Sequence, residues 1–568
     1  MKKTTLTLFS VVLATSLTIA QSLDEGIKFL YYERTKSAVE TLEKVVASNS
    51  KDPKSIYWLG QAYLAADDKA KAKALYQKAL TDGVNDPWIW VGTGHVELLD
   101  GGDKNAARQR FDQAITTATP TKGKNKGNPD ADILNAVGRA NADGGSQQGD
   151  PLYGIEKLKQ AQTLNLTDPD IDINLGKNYL KLGSDKGGEA VEAFTDATRR
   201  NPQYSAAYFR IGRIYQSQNN LEYMTEWYDK AITADPGYGP VYLAYFNYYK
   251  EKDVNKAKGY LDNYVKNADK DCITDYFVAD YLYRAGQNQE SINKAKEMEN
   301  GTCRDYLRIN IIYAYNYNKL GDSVAAKAAI QKFFTVADTS KIEASDYLIA
   351  ATILSKDSVT RETAVNYLIM AYNRDTVQKN KAMYIDSISA VYKRAKNYAK
   401  RLEWVSKSYA LSPTPTNRDV YDYGEAAYFA QDYKLADSIF RVYKEKFPDQ
   451  IYGPMWIYKS AQMADTSMET GIVVQPAVDY ITFLKTDSAK YKTQLVQVNG
   501  VLAGFYANIK KDKDSAIFYL KQILVYDPTN PDAARYIGLL EKSGPDKSGG
   551  DKGKSPADKP KSGTSGKK

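Results

Sequence analysis

The chain is poor in the residues that most often carry chemistry. Histidine occurs once in 568 residues, at His95, and cysteine twice, at Cys272 and Cys303. With one imidazole there is no HExxH zinc site and no histidine-dependent triad to assemble, so His95 is expected to be packed or exposed without chemistry. No phosphate-binding G-x-x-x-x-G-K-[ST] loop occurs, and Gly123-Lys124-Asn125-Lys126-Gly127 has the wrong spacing for one. Carboxylates are plentiful, but nothing in their spacing sets two apart as an acid–base pair. These absences predict a non-enzyme with no metal and no cofactor. Long apolar runs are missing after residue 20, so no membrane-spanning segment is expected in the mature chain.

The formal charge of +8 is concentrated at the ends. Lys2 and Lys3 carry +2 and residues 542–568 carry +5, which leaves +1 for residues 21–541. A near-neutral body argues against a nucleic-acid-binding face. The first twenty residues read as a signal peptide: two lysines, an apolar stretch from Leu6 to Ala20, and a small-residue cleavage site at Thr18-Ile19-Ala20. The expected address is the periplasm of a Gram-negative bacterium, with or without association with a membrane. Residues 543–568 are Lys, Gly, Ser, Pro and Asp with almost no apolar content, and are expected to be disordered. Two readings of this tail stay open, a solubilising segment and a weak cationic contact with an anionic surface.

What the chain does have is tyrosine, 46 against 15 Phe and 6 Trp, and a recurring pattern. From Ser205 to Pro236 two apolar-periodic segments, Ser205–Ser217 and Leu221–Ala234, flank a polar joint at Gln218-Asn219-Asn220. Tyr208, Ile211, Gly212 and Tyr215 share one helical face, as do Met224, Tyr228 and Ala231. Leu59-Gly60 with Ala72, Tyr76 and Ala79 repeats the pattern, as does Leu175-Gly176 with Ala190, Phe194 and Ala197. So do Tyr423-Gly424 with Ala436 and Phe440, and Ala503-Gly504 with Ala516 and Leu520. A pair of amphipathic helices cannot bury both apolar faces alone, so such units must stack.

This pattern resembles the tetratricopeptide repeat. The resemblance implies an all-α fold, an α-solenoid coiled as a right-handed superhelix of about fourteen helix–turn–helix repeats, closed by a capping helix from Pro531 to Lys542. The irregular stretch Ala382–Leu411 is the expected break, dividing residues 21–381 from 382–542. Repeats of this kind imply a concave groove lined by first helices. Carried onto this chain, that lining is Phe209, Arg213, Phe246, Tyr249, Tyr276, Asp280, Tyr283 and Tyr315. The alternative for these aromatics is that they pack against neighbouring helices.

Cys272 and Cys303 fall near the starts of first helices in adjacent repeats. An exported protein permits a disulfide between them. Equivalent Cα atoms in stacked repeats lie roughly 10 Å apart, too far to bridge without an offset, so a disulfide and two free thiols both remain open. Asp-Ser-apolar triplets at Asp322, Asp357, Asp386, Asp437 and Asp514 resemble an O-glycosylation sequon of some Gram-negative envelopes, and read equally as helix N-caps. The expected function is a non-catalytic scaffold of the cell envelope that binds partner proteins along its concave face. The alternative is a glycan- or peptidoglycan-binding protein that uses the Tyr-rich groove.

Overall fold

Aspartate and proline punctuate the chain, and helices begin where they fall. Asp52, Asp86, Asp150 and Asp168 each precede a proline, and each carboxylate accepts a hydrogen bond from a backbone N–H of the first helical turn. The aspartate satisfies a donor that the helix itself cannot, and proline at the first position gives up no bond. A computed structural model describes residues 23–542 of the chain. The expected signal peptide and basic tail lie outside the described residues.

Among these residues the secondary structure is helical throughout, with no strand. Helix α1 covers residues 23–31 and pairs with α2 (Thr35–Ser48). Then follow α3 (Pro53–Ala65), α4 (Lys69–Thr81), α5 (Pro87–Leu99), α6 (Lys104–Thr117), α7 (Ala131–Ala142) and α8 (Pro151–Leu164). The next are α9 (Pro169–Leu182), α10 (Gly187–Arg200), α11 (Ser205–Ser217), α12 (Leu221–Ala234), α13 (Gly239–Tyr249) and α14 (Val254–Asn267). Helices α15 (Cys272–Arg284), α16 (Asn288–Asn300), α17 (Ile309–Leu320) and α18 (Ser323–Val336) complete a first compact unit that ends at Ala337.

The second unit, from Asp338, contains α19 (Ala344–Leu354), α20 (Arg361–Arg374), α21 (Gln378–Arg394), α22 (Tyr398–Leu411), α23 (Asn417–Phe429) and α24 (Tyr433–Lys446). It ends with α25 (Tyr452–Ala464), α26 (Val474–Leu484), α27 (Lys492–Phe505), α28 (Lys513–Tyr526) and α29 (Pro531–Lys542). These are fourteen pairs and a final helix. The boundary falls one helical pair before the expected break near residue 382. In the irregular stretch α21, longer than its neighbours at 17 residues, packs on α20 before it and α22 after it.

Several pairs close on a small–large–small stripe. Ala190, Phe194 and Ala197 of α10 are buried, and the Phe194 ring lies where Gly176 of α9 leaves room. A Cβ on Gly176 would come within 2.3 Å of that ring, and one on Gly212 within 2.5 Å of Tyr228. The glycine is thus a packing requirement, with helix backbone and aromatic ring in direct contact.

Within the first unit, odd helices also pack on the next odd helix, α3 on α5, α5 on α7 and α7 on α9. The first helices therefore form one rank. The unit also folds back on itself. The Tyr31 ring sits 4.9 Å from Tyr204 and 5.3 Å from Tyr238, the Tyr32 hydroxyl donates to Asp235, and Arg34 pairs with Asp269. The first repeat thereby touches the sixth, seventh and eighth.

Candidate functional site on the first helices

The first-helix rank encloses two cavities in the first unit. The larger, about 920 Å³, has walls from Tyr31, Trp58, Trp88, Arg139, Lys177 and Tyr204, among others. It lies where the unit turns back on its first repeat. Position within each helix explains the wall. Asn135 and Arg139 are the fifth and ninth residues of α7, and Ile173 and Lys177 hold the same places in α9. A helix turns by 3.6 residues, so the two positions stack on one face.

Charges in this wall are largely tied to one another. Arg139 donates to Asp170 and to the Tyr57 hydroxyl, and its guanidinium lies 4.7 Å from the centre of the Trp58 ring. Asn135 and Asn174 also donate to Asp170, at 3.0 and 2.9 Å. Burial works against the ionised Asp170, but Arg139 outweighs it and holds the carboxyl below its usual range. Its neighbour Asp168 goes the other way, pushed up to about 6 by burial and then by the Asp170 charge. Lys177 donates to Asp143 at 2.6 Å. Behind Asp143 stands His95, fully buried in α5, its Nε2 3.4 Å from the carboxylate. Burial drops the imidazole to about 4 despite that carboxylate, so it is neutral near pH 7.

The second cavity, about 840 Å³, is lined by Phe209, Arg210 and Arg213 of α11, Leu243 and Asn247 of α13, and Glu33. Phe209 and Arg213 are fifth and ninth in α11, and Leu243 and Asn247 fifth and ninth in α13. Of the eight groove residues expected from sequence, these walls contain two, Phe209 and Arg213.

The others lie elsewhere, and two are corrected outright. Phe246 is fully buried, because it is the eighth residue of α13, the place Gly212 holds in α11 against its own second helix. Asp280 has the right position in α15, but it is 3% exposed and ion-paired to Arg284 and Lys250. Tyr249 is half-buried, stacked 5.7 Å from Tyr260 and receiving a hydrogen bond from Lys256. Tyr276 packs against Phe277 and Tyr306, and Tyr283 against Tyr315 at 5.1 Å. The central aromatics thus spend much of their surface on one another. The residues that sequence reasoning missed, Asn135, Arg139, Lys177, Leu243 and Asn247, were signalled by the same fifth-and-ninth spacing that finds Phe209 and Arg213.

Cys272 and Cys303 are joined as a disulfide with Cα atoms 5.5 Å apart. Cys272 opens α15, whereas Cys303 precedes α17 by several residues, and this offset shortens the distance between equivalent repeat positions. Of the Asp-Ser triplets, Asp322 caps α18 and Asp437 pairs with Arg441 inside α24. Asp514 sits in the first turn of α28, where Asp512 is the cap.

A ladder of helix pairs with a first-helix rank open to ligands defines an α-solenoid of the repeat type. The family model of the tetratricopeptide repeat matches residues 23–87 and 174–239. Those two stretches of the chain are tetratricopeptide repeats. Among solved structures the chain is similar to the C-terminal part of a TPR repeat-containing protein from Cytophaga hutchinsonii, at 25% identity over 46% of this chain and 98% of that one, with a TM-score of 0.33. It is also similar to yeast Tom70, at 14% identity over 77% of this chain and 100% of that one, with a TM-score of 0.37. No curated protein sequence matches it. Proteins of this family are generally non-catalytic and bind partner proteins. Among the described residues no helix is long and apolar enough to cross a membrane.

Proposed function

We propose that this protein is a non-catalytic scaffold of the bacterial cell envelope that docks partner proteins on the first-helix rank of its first unit. The observation that carries the reading is the pair of cavities built from the fifth and ninth positions of consecutive first helices. Side chains at those positions are held by rigid helices, and a partner that spans several repeats gains from contacts made at each. The export reading rests on residues 1–20, and the Cys272–Cys303 bridge suits an oxidising compartment. The basic tail would add a weak anionic-surface contact.

The test is crosslinking of the tagged full-length protein in cells, followed by mass spectrometry. The same one or two envelope proteins are expected to be captured, and to be lost from a Leu243→Ala, Asn247→Ala variant with unchanged helicity. Capture of nothing above background by a folded protein overturns the scaffold.

A further inference from the structure

The smaller cavity differs from the larger one in a way that identifies its occupant. In the larger, Arg139 and Lys177 are each neutralised by an aspartate on a neighbouring helix or turn. Arg210, which lines both cavities, and Arg213, exposed at the smaller one, make no ion pair among the described residues; they stand three residues apart on one face of α11. Arg210 Nε is buried and has no hydrogen-bond partner, and the Arg213 guanidinium meets only the Tyr228 hydroxyl of its own repeat. The single acidic side chain in the wall, Glu33, pairs with neither. Leaving a buried guanidinium donor unmet is costly, and the missing partner is an acceptor, best a carboxylate that takes the fork of an arginine.

The rest of the wall mixes apolar side chains with uncharged polar ones, Ser184, Ser217, Gln218 and Asn247. Leu180, Phe209, Ile214 and Leu243 surround the arginines, and Leu180 is 40% exposed. Phe209 is braced from behind by Tyr228 and Tyr238, with ring centres 5.6 and 5.7 Å away. A fixed aromatic wall beside two unpaired arginines is the composition of an interface anchor point. Two cations are too few for a polyanion, which needs a long basic track. A lysine- or arginine-bearing ligand would face two like charges.

Resting on the scaffold reading above, we propose that this cavity binds an extended segment of a partner protein in which an aspartate or glutamate lies between apolar side chains. The carboxylate bridges Arg210 and Arg213, and the flanking apolar groups cover Phe209 and Leu243. The volume, about 840 Å³, is in the range of sites that enclose most of a short ligand segment.

The experiment uses the full-length protein and three pools of short fluorescein-labelled peptides, random except for a central Leu-Asp-Leu, Leu-Asn-Leu or Leu-Lys-Leu, read by fluorescence anisotropy. The aspartate pool is expected to bind about tenfold or more tightly than the asparagine pool, with the lysine pool weakest. Arg210→Gln and Arg213→Gln should each remove that preference. Neither arginine is part of an ion pair, so melting should be unchanged for Arg210→Gln and lowered by no more than the one Tyr228 hydrogen bond for Arg213→Gln. Equal binding of the three pools, absence of binding by any pool, or a preference that survives the double variant overturns the proposal. So does displacement of the peptides by inorganic polyphosphate at equal charge concentration, which would assign the arginines to a polyanion. Partner capture in cells that persists in the double variant overturns this site while leaving the scaffold standing, and loss of all capture by the wild type removes both.

Discussion

His95 shows how much a single buried residue decides. Its ring is buried beside Asp143 and feels the charges of Arg139, Lys177 and Lys181, and burial keeps it neutral. The folded state therefore resists a proton that the unfolded chain accepts below pH 6.5, so stability falls as pH drops from 6.5 towards 4. The loss attributable to this residue is roughly 3 kcal/mol across that window. Asp168 titrates with the opposite sign, since the folded state takes up its proton at about 6, before the unfolded chain does, and gains stability on acidification. Denaturant melts of the wild type and His95→Gln across this range separate the two, because Asp168 is common to both proteins. The gap between their stabilities should change by the His95 amount as pH falls. A gap independent of pH would show that the imidazole is not held neutral. The sequence offered His95 as a residue without chemistry, but its neighbours Asp143 and Lys177 lie 48 or more positions away and no spacing rule links them.

At the scale of elements, legibility was high where one helix pair is its own context. Ser205–Ser217 and Leu221–Ala234 are the helices α11 and α12, and Pro531–Lys542 is the closing helix. The small–large–small stripe and its facing glycine are local, so periodicity alone finds them. Element-level packing also determined which aromatics are free. Tyr249 and Tyr260 stack on each other because α13 and α14 pair closely, and their sequence pattern is that of an exposed aromatic face. The disulfide ties the start of α15 to the segment before α17, next to the corner where Asp269 receives Arg34 and Ser37. It closes a loop with a sequence separation of 31. A constraint of that length contributes about 3 to 4 kcal/mol by limiting the unfolded chain. Cys272→Ser with Cys303→Ser, or addition of reductant, should lower the unfolding free energy of the first unit by that much, seen as a lower denaturation midpoint, and leave the second unaffected. An unchanged midpoint would mean that the bridge does not constrain this unit.

For the whole molecule, the two compact units imply that unfolding is not a single two-state event. The first unit departs from a simple ladder, in which each repeat touches only its neighbours. The contacts of Tyr31 with Tyr204 and Tyr238, and of Arg34 with Asp269, couple repeats more than 170 residues apart. Such coupling should make this unit melt more cooperatively than its repeat architecture predicts. Tyr31→Ala is expected to broaden and lower its transition by about 3 kcal/mol or more, in keeping with loss of a packed aromatic ring, and not to move the other transition. Calorimetry of the full chain reads both. A uniform shift of the entire profile would contradict the independence of the units.

The sequence by itself determined the helix pairs, their number, the closing helix and the repeat family, because each follows from the period of apolar residues within some thirty positions. It also held the fifth-and-ninth rule that places Phe209 and Arg213 in a cavity wall. Tertiary structure alone decided that Phe246 and Asp280 are buried, that the unit boundary lies at Ala337, and that Arg139 and Lys177 are neutralised while Arg210 and Arg213 are not. It alone brought the first repeat back against the eighth. That return is the sum of small rotations from one repeat to the next, and no residue pattern within a single repeat encodes it.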